Sequence, residues 1–258
     1  MGKIIAVSNQ KGGVGKTSTC VNLAAGIALK GKKVLLVDMD SQGNATTGLG
    51  INKSGVEKSV YDVLMGAVSP KSVIMRSEIA TLDVLPSSID LAGAEVELVS
   101  MRGREKKLSV ALEVLRPLYD YIFIDCPPAI GLLTINSLSA SDSVLIPIQS
   151  EYYALEGLSQ LMNTIKLVNK HLNPKLVIEG VLITMYDKRA LISRQIFEEI
   201  KKFFGKKMFE TVIPRNIRIS EAPSYGKPVM LHDKRCRGTV AYNQLVDEFL
   251  TRGETDGE

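Results

Sequence analysis

Short runs of apolar and β-branched residues alternate along the chain with longer segments in which apolar positions recur at helical spacing. The short runs are nearly continuous in hydrophobicity, which is typical of strands buried on both faces of a parallel sheet. The predicted strands are Lys3–Ser8, Val34–Asp38, Leu82–Pro86, Tyr121–Asp125, Val144–Ile148, Glu179–Thr184 and Phe209–Ile213. The predicted helices are Thr17–Lys30, Val56–Met65, Lys106–Leu115, Leu132–Ala140, Leu155–Asn169, Ser193–Phe204 and Thr239–Leu250. This alternation predicts an α/β fold with a doubly wound, mostly parallel sheet flanked by helices.

The composition fits a globular protein. Of the 258 residues, 45% are hydrophobic and 23% are charged, which excludes a disordered chain. No apolar run approaches the ~20 residues that a membrane-spanning helix needs, and the apolar stretch near Met1 is too short for a signal peptide. Because no linker-like or repeated segment interrupts the pattern, we expect a single domain over residues 1–258.

The cysteines and histidines offer little material for a metal centre. Cys20, Cys126 and Cys236 lie far apart without a CxxC pair, and His171 and His232 are isolated. An odd number of scattered cysteines argues against a disulfide framework, a zinc ribbon or an iron–sulfur site. We therefore expect a cytoplasmic protein in a reducing compartment.

Positive charge is concentrated in the last third of the chain. The segment from Lys166 to Arg252 holds 17 lysines and arginines against nine acidic residues, whereas the whole protein has a net charge of only +4. Such an excess is often a solvated surface, but it also suits a face that binds a polyanion such as nucleic acid.

The strongest chemical signal is a glycine-rich segment between the first predicted strand and the first predicted helix. Glycines allow successive backbone N–H groups to point at phosphate oxygens, and the helix adds its positive dipole end. Lys16 can reach the β- and γ-phosphates, and the Thr17 hydroxyl can ligate Mg²⁺. The predicted nucleotide-binding residues here are Lys11, Gly12, Gly13, Val14, Gly15, Lys16, Thr17 and Ser18.

Carboxylates follow two of the predicted strands. Asp38 and Asp40 come at the end of the second strand, and Asp125 ends the Tyr121–Asp125 strand. Because the carboxyl ends of parallel strands line the ligand crevice of a doubly wound sheet, these side chains should lie beside the phosphate loop. One carboxylate there can hold Mg²⁺ and another can orient an attacking water.

The loop departs from the ordinary GxxxxGK[ST] pattern, because Gln10 stands where the first glycine belongs and Lys11 is added. The sequence KGGVGKT resembles the deviant Walker A signature. This resemblance implies that Lys11 acts in trans, across a nucleotide-sandwich dimer, on the partner's phosphates. It also implies that Asp125 is the Walker B carboxylate and that Asp40 positions the hydrolytic water with support from Asp38. Ser41 replaces a proline that such proteins usually carry, which puts the stiffness of this loop in doubt.

Over nearly its whole length the chain resembles the ParA/Soj chromosome- and plasmid-partitioning ATPases. The matching segments are Leu91–Glu95, Leu132–Asn136, Glu151–Gly157, Ile213–Asn216 and Ser220–Pro223. The resemblance implies that Pro214 and Asn216 meet the adenine, although a simple β-turn is the alternative reading. It also implies that Arg189 and Arg218 contact DNA, unless they are ordinary surface arginines.

The same resemblance implies an activity. ATP with Mg²⁺ would drive formation of a homodimer, and the dimer would bind double-stranded DNA without sequence preference and associate with the nucleoid. A ParB-type partner would stimulate weak hydrolysis that depends on Lys11, Lys16 and Asp40, and cycles of release would move a chromosome or a plasmid. No stable membrane association is expected.

Two other classes remain open. A MinD-like ATPase that positions the division site would need a C-terminal amphipathic helix with a basic face, but Ala241–Leu250 carries two acids and no base. A metabolic or electron-transfer relative, such as a nitrogenase iron protein or a dethiobiotin synthetase, is the second alternative. The nitrogenase type needs paired cysteine ligands, whereas Cys126 stands alone and reads better as a packed core residue.

Overall fold

The computed structural model describes residues 2–151 and 154–255. This part of the chain forms a seven-stranded sheet. The strands are β1 (Lys3–Val7), β2 (Val34–Asp38), β3 (Met75–Arg76), β4 (Leu82–Leu85), β5 (Tyr121–Asp125), β6 (Ser143–Gln149) and β7 (Val177–Thr184). Their order across the sheet is β3-β4-β2-β5-β1-β6-β7, and every neighbouring pair is parallel except β3 with β4. The predicted mostly parallel sheet is confirmed.

Helices cover both faces of the sheet. They are α1 (Lys16–Leu29), α2 (Asn44–Gly48), α3 (Val60–Leu64), α4 (Leu91–Leu98), α5 (Lys107–Glu113), α6 (Leu132–Ala140), α7 (Ala154–His171), α8 (Leu191–Phe204), α9 (Ile217–Glu221), α10 (Val229–His232) and α11 (Arg237–Thr255). Alternate residues of β1 enter two separate core layers. Ile4 and Ala6 pack in the layer that includes α3 to α8, and Ile5 and Val7 pack in the layer that includes α1, α10 and α11. The fold is therefore doubly wound, as predicted.

One predicted helix is shorter than the sequence suggested, because a local cap fixes its start. The segment Val56–Met65 becomes helical only at Val60. The hydroxyl of Ser59 accepts a hydrogen bond from the N–H of Tyr61 at 3.2 Å, and the carboxylate of Asp62 accepts one from the N–H of Ser59 at 2.9 Å. This capping box satisfies backbone donors that a longer helix would use itself.

The prediction of a strand at Phe209–Ile213 is wrong. The segment runs beside β7 with isolated bridges from Val181 to Met208 and, past the end of β7, from Tyr186 to Pro214, and the N–H of Ile213 donates to the carbonyl of Ile183 at 2.8 Å. Between the bridges, the N–H groups of Glu210 and Thr211 donate to the carboxylate of Glu248 at 2.8 and 2.9 Å. A side chain of α11 thus takes donors that a regular ladder would need, and the backbone does not continue as a strand.

The sequence did not predict β3 or the helices α2, α4, α9 and α10. β3 has only two residues, and α2, α9 and α10 span five residues or fewer, which is too short for a periodic pattern to be recognised. Within the described ranges, no helix is both long and apolar enough to cross a membrane.

Strand register brings the chemistry to one edge of the sheet. β5 lies between β1 and β2, so Asp125 is level with Val7 on one side and with Asp38 on the other. The phosphate-loop segment follows Val7 directly, and the Asp40 loop follows Asp38. The carboxyl ends of three adjacent strands therefore supply the loop and the carboxylates together.

Candidate nucleotide site and basic groove

The glycine-rich loop between β1 and α1 has the backbone conformation that its sequence requires. Gly13 and Gly15 have φ angles of 75° and 81°, a region that residues with a Cβ atom rarely enter. The hydroxyl of Thr184, at the end of β7, donates to the carbonyl of Val14 at 2.8 Å, and the carboxamide oxygen of Asn9 accepts from the N–H of Lys11 at 3.0 Å. The side chain of Asn9 in turn donates to the carbonyl of Pro147 in β6 at 2.7 Å, so β6 and β7 both hold the loop.

Lys16 lies inside this loop. Its side chain packs so closely that the residue is only 7% exposed, and its Nζ donates to the carbonyl of Lys11 at 3.1 Å. Burial lowers the pKa of the ammonium, and the negative potential of Asp125 opposes that shift. α1 begins at Lys16 without a side-chain cap, so its first N–H groups are available to phosphate oxygens.

Asp125 is the carboxylate of the site that the described residues leave without hydrogen bonds of ordinary geometry. It is fully buried, and neither oxygen has a hydrogen-bond partner of ordinary geometry among the described residues, although Thr17 lies close enough to lower its pKa. Burial and the neighbouring Asp38 act the other way and hold the pKa well above its usual range. A buried carboxylate without a partner, beside a threonine hydroxyl, fits a Mg²⁺ ion.

Other ligands of such an ion would have to come from elsewhere. Within residues 2–151 and 154–255, no group of three His, Cys, Asp or Glu side chains is placed to hold a metal. Mg²⁺ usually combines one or two protein oxygens with phosphate oxygens and waters. Thr17 and Asp125 therefore fit an ion that arrives with a nucleotide.

Asp38 has a different task from Asp125. Its carboxylate accepts hydrogen bonds from the N–H and the hydroxyl of Thr46 at 2.8 and 2.7 Å, and from the N–H of Asp40 at 3.2 Å. Burial raises the pKa of Asp38 to about 6 despite these bonds. All its contacts fix the loop that carries Asp40, which agrees with a supporting role.

Asp40 is half-buried and lies at the edge of the site, near enough to Lys16 to raise the pKa of that lysine. Its Oδ1 accepts a hydrogen bond from the N–H of Gln42 at 3.0 Å, and its carbonyl accepts one from the N–H of Gly43 at 2.8 Å. The turn therefore closes with Ser41 in place of the proline. The other carboxylate oxygen of Asp40 accepts no hydrogen bond from the described residues.

Lys11 belongs to the loop, but its ammonium group and that of Lys16 have different partners. Its Nζ lies 2.7 Å from Oε2 of Glu151, which follows β6. The other carboxylate oxygen of Glu151 accepts a hydrogen bond from Gln149 at 2.5 Å. The two lysines of the signature thus point to different partners within one subunit.

A cavity of about 480 Å³ opens beside the loop, and it brings Gly15 and Ser18 together with Pro214 and Asn216. The carboxamide oxygen of Asn216 caps α9 by accepting from the N–H of Arg218 at 2.8 Å, which leaves its N–H₂ group to donate. The two residues predicted to meet the adenine, Pro214 and Asn216, therefore share one cavity with the residues at the start of α1.

Met185 was missed by the sequence reasoning, as was Thr184. Both line the same cavity, and Met185 has a φ of 51°, the one positive value found for a residue other than glycine in the described part of the chain. Such a conformation costs of order 1–3 kcal/mol and is found mostly at functional sites. In the sequence, nothing marks a single methionine after a strand as a residue that lines a binding cavity.

The basic third of the chain forms a groove of about 860 Å³ near the cavity, and Pro214 lines both. The cationic residues of this groove, which we call the basic groove, are Lys188, Arg189, Arg215, Arg235 and Arg237. Of these, the sequence reasoning had selected only Arg189. The clustering of basic residues at 234–237 was the signal that could have found the others.

Arg218 does not line the basic groove. Its guanidinium lies 2.8 Å from Glu221 and 3.5 Å from Asp233, so two carboxylates offset its charge. The two arginines that the sequence reasoning had paired therefore differ in their surroundings, because Arg189 lines the basic groove and Arg218 is held by Glu221 and Asp233.

The cysteines take no part in the site chemistry. Cys126 follows Asp125 but is buried, and burial raises the pKa of its thiol to about 12. Cys20 is buried in α1, and burial also raises the pKa of its thiol. Cys236, next to two arginines of the basic groove, is half-buried. The reading of Cys126 as a packed core residue is confirmed.

Comparison with known proteins shows the family to which this chain belongs. A family model described as an AAA domain matches residues 2–178. Over 253 residues the chain is 59% identical to the sporulation initiation inhibitor protein Soj of Bacillus subtilis, covering 98% of this chain and all of Soj. The chain belongs to the ParA/Soj family. It is also 52% identical over 252 residues to the chromosome partitioning protein ParA of Myxococcus xanthus, covering 98% and 89% of the two chains.

A solved structure agrees with the ParA/Soj fold over the full length. The protein is named cobyrinic acid a,c-diamide synthase from Mycobacterium smegmatis and holds ADP and magnesium. Its TM-score to this chain is 0.87 at 36% identity, covering 100% of this chain and 97% of the other. As a ParA/Soj protein, the chain has the fold of a P-loop ATPase, and its curated relatives favour a role in segregation.

Proposed function

We propose that this protein is a Mg²⁺-dependent ATPase that forms a homodimer with ATP, binds DNA without sequence preference and moves chromosomes or plasmids with a ParB-type partner. The observation that carries the proposal is the orientation of the two loop lysines. Lys16 faces the interior of its own loop, whereas the Nζ of Lys11 is 2.7 Å from Glu151. A lysine held at Glu151 rather than inside its own phosphate loop can reach the phosphates of a second subunit once this ion pair opens.

The residues then have distinct roles in hydrolysis. Lys16 and the first N–H groups of α1 bind the β- and γ-phosphates, while Thr17 and Asp125 hold Mg²⁺. The ion supplies charge stabilisation for the phosphoryl group that is transferred. Asp40 accepts a hydrogen bond from the attacking water. That water forms a bond to the γ-phosphorus as the bond to the β,γ-bridging oxygen breaks, which gives ADP and inorganic phosphate, and both protons of the water remain on the oxygens of the phosphate.

Dimerisation requires Lys11 to exchange partners. Its ion pair with Glu151 is partly exposed, with about a third of the lysine side chain and half of the glutamate side chain accessible. Exposed pairs of this kind contribute ~1 kcal/mol or less. The phosphates of a nucleotide on the second subunit offer more charge than Glu151 does, so ATP favours the dimer in which Lys11 has moved.

DNA binding is assigned to the basic groove. Arg189 and the neighbouring lysine and arginines present several positive charges on one exposed surface, and arginine donates two parallel hydrogen bonds to phosphate. Arg218 contributes only if it leaves Glu221 and Asp233. Because the proposal involves phosphates rather than base edges, affinity should depend on salt and not on sequence.

The decisive experiment is duplex-DNA binding without nucleotide, with ADP, with ATP, and with ATP plus lipid vesicles. We expect binding to unrelated duplexes with ATP only, and no loss to vesicles without anionic lipid. DNA binding that is equally strong without nucleotide contradicts the proposed cycle. Absence of binding in all four conditions removes the segregation function.

A MinD-like function is less well supported. The apolar residues of α11 that a membrane anchor would need, among them Tyr242, Leu245 and Phe249, are buried against the sheet. A metabolic synthase is suggested by the name of the Mycobacterium smegmatis protein alone. The same DNA-binding experiment distinguishes both classes from a partitioning ATPase.

A further inference from the structure

The end of α8 and the turn that follows it expose an aromatic ring among lysines. Phe203 is 73% exposed, and Lys201, Lys202, Lys206 and Lys207 are all exposed around it. We call these five residues the basic–aromatic tip. We propose that the basic–aromatic tip binds the surface of a bilayer that contains anionic phospholipids. Nothing in the proposed nucleotide cycle uses these residues.

The chain holds the tip in a fixed position. The guanidinium of Arg252 in α11 donates to the carbonyls of Lys206 and Met208 at 3.3 and 2.7 Å, and it lies 4.4 Å from the ring centroid of Phe209. The ring of Phe203 meets that of Phe204 edge-on, at 4.9 Å between centroids. Phe203 is therefore presented outward by a braced turn rather than by a loose loop.

The charges of the tip are not offset by close partners. Among the described residues, none of its four lysines forms an ion pair. Two exposed carboxylates, those of Glu198 and Glu199, lie about one turn further back in α8, and that of Glu210 follows the turn. Four lysines therefore outnumber the three acids near the exposed ring, although Glu199, four residues before Phe203, lies on the same side of α8 as the ring.

An open cavity lies beside the tip and offers space for a lipid headgroup. Its volume is about 740 Å³, and its charged lining residues are Lys201, Lys206, Lys207 and Arg252 against Glu179 and Glu210, so the lining carries an excess of positive charge. Phe197 and Met208 also line it. Lysine ammonium groups suit the phosphate of a headgroup, and aromatic and aliphatic side chains suit the region where headgroups meet acyl chains. This combination matches the chemistry of an anionic membrane surface.

The shape of the tip favours a membrane over a protein or DNA. A stable protein interface buries about 1,000 Å² or more with an apolar centre, whereas the exposed apolar surface of the tip is essentially one phenylalanine ring. A duplex would use the lysines but would give the projecting ring of Phe203 no apolar surroundings. A bilayer uses both, because lysines attract it and one aromatic ring can enter it.

The tip is far from the nucleotide. Lys207 lies beside Gly180 in the first half of β7, and Pro214 lies beside Tyr186 after its end. An extended segment of this length spans roughly 20 Å. Membrane binding at the tip therefore leaves the adenine cavity and the basic groove accessible, and it does not depend on the proposed function.

The absence of tryptophan from the chain gives a direct test. Phe203→Trp places a single indole in the tip, and Leu167→Trp places one at another exposed apolar position between two lysines of α7. With phosphatidylglycerol-containing vesicles, we expect the emission of the Phe203→Trp protein to shift to shorter wavelength and that of the Leu167→Trp protein to stay unchanged. With pure phosphatidylcholine vesicles neither should shift.

Vesicle sedimentation measures how much each residue contributes to the partition coefficient between water and vesicles. Replacing Lys206 and Lys207 by glutamine should lower the partition coefficient about 30-fold, from about 1 kcal/mol per lysine and a factor of ten per 1.4 kcal/mol. Phe203→Ala should lower it roughly tenfold. The matched pair Lys32→Gln and Lys33→Gln, also exposed, should have little effect.

Four results of the vesicle experiments would overturn the proposal. These are no sedimentation with anionic vesicles, equal binding to neutral vesicles, no effect of Phe203→Ala, and an equal loss of affinity in the tip and control variants. If the tip variants instead lose ATP-dependent DNA binding, the tip is part of the DNA surface and the membrane assignment is wrong. If neither the unchanged protein nor any variant binds DNA with ATP, the proposed function is refuted, but the proposal that the tip binds membranes is not.

Discussion

The bond from Thr184 to the phosphate loop can be tested by removing one hydroxyl. Thr184→Val keeps the shape of the side chain but loses the 2.8 Å hydrogen bond to the carbonyl of Val14. Such a bond contributes about 1 kcal/mol net. For a chain of this size, we expect the melting temperature to fall by roughly 2–4 °C.

The functional effect follows if this bond serves to hold the loop in its binding conformation. Loss of about 1 kcal/mol of loop stabilisation then weakens MgATP binding about fivefold. Thermal unfolding without nucleotide and titration calorimetry with MgATP measure the two quantities separately. Thr164→Val is the matched control, because its hydroxyl donates to Gln160 on an exposed face of α7.

Melting temperature and MgATP affinity together distinguish three outcomes. A fall in melting temperature with unchanged MgATP affinity would mean that the bond joins β7 to the core without ordering the loop. No change in either quantity would show that the hydroxyl contributes nothing at this position. Equal effects in the Thr164→Val control would remove the link to the phosphate loop.

Four further results are expected. Asp40→Ala should bind ATP and remain dimeric without hydrolysis, since the loop that binds phosphate is intact; a monomer in sizing chromatography with ATP contradicts this. A Lys11→Ala protein mixed with a Lys16→Ala protein should recover ATPase activity, because one composite site is complete, and the gain should lie within the ~10³–10⁵ that a cation in trans supplies; mixed dimers without activity contradict it. Arg189→Ala should make the slope of log DNA affinity against log salt shallower by roughly 2 for a dimer. Arg218→Ala should change that slope less, because Glu221 and Asp233 already offset its charge, and equal slopes would contradict this ranking.

The sequence predicted those parts of the site that local chemistry determines. The phosphate loop, its two lysines and the strand ends that carry Asp38 and Asp125 all lie within short segments with strong signals. Strand order was needed only to bring them together, and the carboxyl-edge rule supplied that step. The roles of Lys11, Asp40 and the two arginines came from family resemblance and stay predictions.

Features that depend on distant residues could not be predicted. Thr184 reaches Val14 across 170 positions of sequence, and no local pattern marks it. The segment at Phe209–Ile213 reads as a strand until Glu248, from the last helix, takes two of its backbone donors. The sequence does not show that the guanidinium of Arg218 is paired with Glu221 and Asp233, because only the fold brings Asp233 beside it.

Because two of the three thiols are buried, a thiol-reactive dye should label the natural protein at a single cysteine. Cys20 and Cys126 are buried, so a maleimide reagent at neutral pH should modify Cys236 alone among them. Cys236 is flanked in sequence by Arg235 and Arg237, which line the basic groove, while its own sulfur accepts a hydrogen bond from the N–H of Thr239 at 3.4 Å. A single environment-sensitive fluorophore there would report occupancy of the groove during ATP turnover, without any engineered cysteine.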